Sequence, residues 1–156
     1  MPIMERLSKS MQKRMLDWPC NEYENTPWTP MSKPLSESKV ALVSTAGFHV
    51  REDKPFVSGD TSYRIIPRTT NPANIIQSHT SIGFDRTETF RDINITYPVD
   101  RLEELVAQGE IGSLSDNYYS FMGALSDVSR LVGHFGPKLA ENLKNEGVNV
   151  VLLVPT

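Results

Sequence analysis

The chain is nearly without cysteine. A single one, Cys20, among 156 residues excludes a disulfide within the chain and fits a reducing cytoplasm. Cys20 follows a Trp-Pro pair and has no histidine nearby in sequence, so it reads as a packing or surface thiol. Long apolar runs are also missing. The most apolar stretch, VNVVLLV at 148–154, is far short of the ~20 residues that span a bilayer. No apolar segment follows the basic opening MPIMERLSKSMQKRM, so we expect no secretory signal there. A formal charge of −3 without clustered Lys and Arg argues against nucleic acid as the main partner. There is no phosphate-binding lysine loop, dinucleotide glycine fingerprint, nucleophile elbow or paired-cysteine zinc pattern.

What is present reads as an α/β domain. Lys39–Ser44 (KVALVS) is a short apolar run of the kind buried in a parallel sheet, and Ser62–Ile66 (SYRII) a second strand stopped by Pro67. Ile93–Tyr97 (INITY) alternates apolar and polar residues, as a short strand or extended segment does. Pro98, then Asp100 and Glu103 spaced like a capping box, predict a helix whose buried face is Leu102, Leu105 and Val106 and whose C′ residue is Gly109. A second apolar face, Val128, Leu131, Val132 and Phe135, is predicted to break or bend at Gly136-Pro137. A new helix then runs to Gly147 and passes into Val148–Val154, a strand expected to be buried on both faces. Ahead of this body (35–156) lies a segment, 1–34, with an amphipathic helix at 3–15 (Ile3, Leu7, Met11, Met15) and an extended Pro-rich linker.

Two clusters have chemical potential. Thr45-Ala46-Gly47-Phe48-His49 follows the first strand, and its small residues allow a backbone to approach a ligand. The polar stretch SHTSIGFDRTETFRDINITYP holds His79, Asp85, Asp92 and Asn94. There a histidine shuttles protons near neutral pH and carboxylates orient it. Alternatively, Asp and Asn build local turns and His79 serves the loop backbone. The His/Asp spacing matches no metal motif, so no metal site is expected. Arg64 is either a partner for a substrate carboxylate or an exposed strand arginine. The segment NYYSFMGA (117–124) either lines a pocket mouth or packs beneath a loop.

The blocks KPLSESKVALVSTAGFHV, GDTSYRIIP, SHTSIGFDRTETFRDINITYPVDRLEELVAQGEIGSL and YYSFMGA, in that order, resemble the selenoprotein subunit of glycine, sarcosine, betaine and D-proline reductases, from about Trp28 to Thr156. The resemblance implies a flavodoxin-like three-layer domain with a parallel sheet. In that family the last strand runs into a selenocysteine–x–x–cysteine motif followed by a helix, whereas here only Pro155 and Thr156 follow the strand. We therefore expect the domain to be incomplete at its C-terminus, with the selenocysteine just beyond Thr156 at a recoded UGA; a true stop in a degenerate relative is the alternative.

The implied chemistry is reductive cleavage of the C–N bond of an amino acid or N-methylated glycine derivative. A pyruvoyl group on a partner subunit activates the amine, and the selenolate attacks the α-carbon. The neighbouring cysteine then closes a selenenylsulfide. The chain itself is expected to bind no cofactor. By position, the pocket is expected to be lined by Thr45, Gly47, His49, His79, Asp85, Asn94 and Thr156, with His79 in proton transfer. The implied setting is cytoplasmic and oligomeric, with a small amino-acid or betaine-like substrate and neither nucleic acid nor membrane as partner. Two other functions fit the residues: a non-catalytic flavodoxin-like interaction module, and a small-ligand-binding α/β protein using the same loops.

Overall fold

The computed structural model describes residues 4–18, 22, 24, 26–81 and 83–156. Cys20 and Ile3 lie outside them. The chain divides into two units, Met1–Pro30 and Met31–Thr156. In the first, the expected single helix is two pieces, a tight turn at Met4–Arg6 and α1 at Lys9–Leu16. Ser8 separates them because its hydroxyl accepts the Met11 N–H and so starts a new helix.

The second unit is built around β1, Lys39–Ser44, whose residues from Val40 on are all buried. Val40 and Leu42 enter one core, Ala41 and Val43 the other, as the two-residue period of a strand covered on both faces requires. β2 (Phe48–Val50) leaves the sheet and pairs antiparallel with β4 (Ile75–Gln77). β3 (Tyr63–Pro67) pairs with β6 (Asn117–Phe121), and β6 pairs in turn with β1. Val40 pairs with both Leu114 and Val150, and Val43 with both Tyr119 and Leu153. The short β5 (Ser113–Leu114) and β6 therefore share one side of β1, and β7 (Val150–Val154) holds the other. The strands β5, β6 and β7 all run parallel to β1.

The resulting order, β3-β6-β1-β7, flanks the first strand with the next two parallel strands, as flavodoxin-like sheets do. Two short helices complete the described unit, α2 (Thr87–Arg91) and α3 (Val99–Ala107), with the longer α4 at Gly136–Asn145. Leu102 of α3 packs in the core with Val40, Leu42 and Tyr118. Leu139 and Leu143 of α4 pack on the opposite face with Ala41, Val43 and Tyr119. Helices on opposite faces are what crossovers of one hand produce when the first leaves β1 in one direction and the next returns past it in the other. The architecture is α/β in three layers.

Two expectations, the INITY strand and the Asp100–Glu103 box, are corrected, and two, the sheet and the passage at Gly136-Pro137, are refined. The sheet is mixed, since β3 runs antiparallel on the edge, where Pro67 costs no ladder bond on its free side. INITY is a tight turn at Ile93–Ile95, because the Asp92 carboxylate accepts the Asn94 N–H and turns the chain. The Asp100–Glu103 box does not cap α3. Instead Asn94 Oδ1 accepts the Asp100 N–H, and Glu103 pairs with Arg68 at 2.9 Å. Gly136-Pro137 does not break the second helix but widens one turn of it, Leu131–Phe135, with the Gly136 N–H donating to Leu131 O. Pro137 has no N–H to place, and the wider turn spares the helix that loss.

The strand β7 departs most from expectation. It forms where the sequence puts it, but residues 151–153 are exposed and Leu153 is 68% accessible. Among the described residues no strand pairs with its outer side.

Candidate functional site

In a sheet of this order, ligands gather outside the carboxyl ends of the strands, at the first strand and its returning neighbour. Here that place is the end of β1 and β7. The Thr45 N–H donates to Val154 O at 3.1 Å, extending the ladder by one residue. Beyond it the two chains are tied by side chain: Thr45 Oγ1 accepts the Thr156 N–H at 2.8 Å and lies 3.2 Å from Thr156 Oγ1.

His79 enters from the loop after β4. Its position is fixed by Gly47, whose φ of +69° turns the chain out of β1 and whose N–H donates to Phe121 O. A β-carbon at Gly47 would lie 3.0 Å from the His79 backbone nitrogen, so glycine allows the two loops to touch. The Ser78 N–H donates to Gly47 O at 3.0 Å, and the Gln77 amide to Ala46 O at 2.9 Å. His79 is 4% exposed and packs against Phe84, with ring centres 4.6 Å apart and the rings tilted by 52°. Its Nδ1 accepts the Ser81 N–H at 3.2 Å, which leaves the ring proton on Nε2. Burial, aided by the positive charge of Arg86, holds its pKa below the ordinary histidine value. The ring is therefore neutral at pH 7 and a donor through Nε2. That N–H is buried and has no hydrogen-bond partner.

Gly123, just past β6, brings these parts together. A β-carbon there would stand 2.8 Å from Thr156 O, 2.9 Å from His79 Nε2 and 3.0 Å from Thr45 O. The next residue, Ala124, has a φ of +53°, a conformation that side chains other than glycine rarely adopt. On the α4 side a cleft of about 560 Å³ opens. Thr45, Gly123 and Thr156 form its polar end, with Leu125, Leu131 and Leu153 among its apolar walls, and no Asp or Glu side chain lines it.

Of the residues expected to line the pocket, Thr45, Gly47, His79 and Thr156 meet here. The others make different contacts. His49, on β2, is buried against Phe56, and its Nδ1 lies 2.7 Å from Val50 O. Asp85 is exposed and accepts the Thr87 N–H at the start of α2, beside a surface notch formed by Phe84, Arg86 and Phe90. Asn94 is the cap of α3 described above. Arg64 is neither a free ligand partner nor exposed. It bonds Asp60 at 2.9 Å and the Lys54 carbonyl at 2.8 Å, and lies over the Phe56 ring. Gly123 was visible in the sequence only within NYYSFMGA; a glycine two residues past a Tyr-rich strand was the available signal. Among the described residues no group of three His, Cys, Asp or Glu is placed to hold a metal, and no helix is long and apolar enough to cross a membrane.

Strand order and helices on both faces define an α/β domain of flavodoxin-like order, with a polar meeting point, the candidate site, at the switch between β1 and β7. The chain belongs to the glycine/sarcosine/betaine reductase selenoprotein B family, whose model matches residues 4–156. It is 39% identical over 127 residues to the D-proline reductase subunit gamma of Acetoanaerobium sticklandii, covering 81% of this chain and 52% of the relative. It is 30% identical over 149 residues to the sarcosine reductase complex component B subunit beta of Peptoclostridium acidaminophilum, covering 93% of this chain and 34% of the relative. A glycine reductase complex component B subunit gamma, from Carboxydothermus hydrogenoformans, is 28% identical over 88% of this chain and 32% of its own length. The chain thus spans from about half to a third of the length of these curated relatives. No solved structure matches.

Proposed function

We propose that this chain is part of a selenocysteine-dependent reductase subunit that cleaves the C–N bond of an amino acid or N-methylated glycine derivative, with the nucleophile following Thr156. The partner in this reading is a subunit carrying a pyruvoyl group, within a cytoplasmic complex. The observation that carries it is the meeting of Thr45, His79, Gly123 and Thr156 at the switch between β1 and β7. In this fold class that edge is where reactive groups are held.

When present, selenocysteine supplies an anionic nucleophile that, with a neighbouring cysteine, delivers the two electrons of the reduction. The surroundings fit such a group. The cleft lining includes two threonine hydroxyls and no Asp or Glu side chain to repel an anion, and the histidine behind it is neutral. The tie between Thr45 and Thr156 fixes where β7 leaves the sheet, so whatever follows is presented at one place. The apolar walls offer no hydrogen-bonding side chain on that side of the cleft to compete for such a group.

The test is made on the native gene product. An in-frame TGA after the Thr156 codon, selenium in the purified protein, and release of amine or ring-opened product from glycine, sarcosine, betaine or D-proline by the reconstituted complex are expected. A selenium-free mature protein whose complex cleaves none of the four would overturn the proposal.

A further inference from the structure

The buried Nε2–H of His79 is a donor without an acceptor. Such a group is costly to leave unmade and points to a contact completed in another state of the site. Three polar atoms, His79 Nε2, Thr156 O and Thr45 O, lie within 3.0 Å of the one point that a Gly123 side chain would fill. Of the two carbonyls, Thr45 O belongs to a residue held by β1 and by its ladder bond to Val154. Thr156 O belongs to the residue that carries the chain out of β7.

We propose that His79 and Gly123 are positioning residues: Gly123 leaves the room for the loops to close, and in the complete, assembled subunit His79 donates its Nε2–H, which is unmet here, to the Thr156 carbonyl, fixing the path of the chain as it leaves β7. This rests on the reading above, in which the chain continues so that Thr156 O is a peptide carbonyl and the group so oriented is the nucleophile; the placement of His79 and Gly123 beside that oxygen does not. The tautomer is built in. Ser81 N–H occupies Nδ1, so the proton is on the nitrogen that faces Gly123 and Thr156. This role replaces proton transfer by His79, for which a buried N–H shielded from the cleft is poorly placed. Phe84 against the ring and Gly47 against its backbone keep it there.

The experiment uses the complete gene product in its complex, with H79Q, H79L and G123A variants. Glutamine retains an N–H near the position of Nε2, whereas leucine fills the space without a donor. Hydrogen exchange followed by mass spectrometry, on the peptide that holds β7 and Thr156, is expected to quicken about tenfold in H79L and G123A but little in H79Q. The turnover number is expected to fall by about tenfold or more in the first two, with KM nearly unchanged, and to recover in H79Q. Thermal midpoints report any general loss of fold. Equal β7 exchange in H79L and H79Q overturns the proposal, whatever the activity. If the wild-type complex cleaves no substrate while exchange still separates the variants, the functional reading fails and the positioning role stands.

Discussion

Glu146 illustrates how differently the two ends of the sheet use polar side chains. At the amino end its carboxylate receives Ser115 Oγ–H, Tyr119 O–H and Asn117 Nδ2–H, and Lys39 Nζ donates to its carbonyl at 3.0 Å. Partial burial alone would raise its pKa. The three hydrogen bonds outweigh that, and the carboxyl titrates below its ordinary value. A depressed carboxyl stabilises the fold above its unfolded-state pKa, and that contribution is lost as pH falls through the lower folded value. E146A should therefore cost about 2 kcal/mol at pH 7, the scale of hydrogen bonds to a charged group. The gap between variant and wild type should narrow below pH 4 in urea titrations; a gap independent of pH would refute this. Donors and acceptors are satisfied here, whereas His79 at the other end keeps an unmet donor. At this scale the sequence was legible for chemistry and ambiguous for role. Asp85, Asp92 and Asp127 each accept an N–H two residues on, the local turn chemistry that short polar side chains favour. Nothing in their spacing distinguishes that from a site.

Among the elements, β1 was readable to the residue because KVALVS is apolar on both faces and short. The strand β6 was not. Its Tyr118 enters one core and Tyr119 the other, so the apolar residues of NYYSF show no two-residue period, and the segment reads as a mere aromatic patch. The widened turn at Leu131–Phe135 was also hidden, since Gly-Pro is an equally good signal for a break. That turn brings Leu131 O to 2.9 Å from where a Gly136 β-carbon would stand. G136A must push the turn open against Leu139 and its neighbours. A cost of roughly 1–3 kcal/mol is expected, as for other overpacked sites. In a chain of this size it should appear as a fall of several degrees in thermal midpoint. An unchanged midpoint would mean that the turn relaxes to an ordinary helix without strain.

For the molecule as a whole, the fold was more legible than the site. A fold follows from repeated patterns, and α/β layering survives a few misread elements. The candidate site instead draws on residues 45, 79, 123 and 156, four segments joined only by strand order, and one of them contributes by lacking a side chain. The same strand order leaves β7 as an uncharged edge, paired on its outer side with no strand among the described residues and with Val151, Leu152 and Leu153 exposed. Natural edges are usually blunted by charge, bulges or a covering element, because a bare apolar edge pairs with any strand that meets it. Residues 1–156 expressed alone should therefore self-associate in a concentration-dependent way, as sedimentation velocity would show. L153K places a charge on the most exposed of the three side chains, away from the core. It should restore a monomer while changing stability by no more than about 0.5 kcal/mol. If the wild-type chain sediments as a monomer at high concentration, β7 does not act as an open edge, and some other part of the molecule shields it.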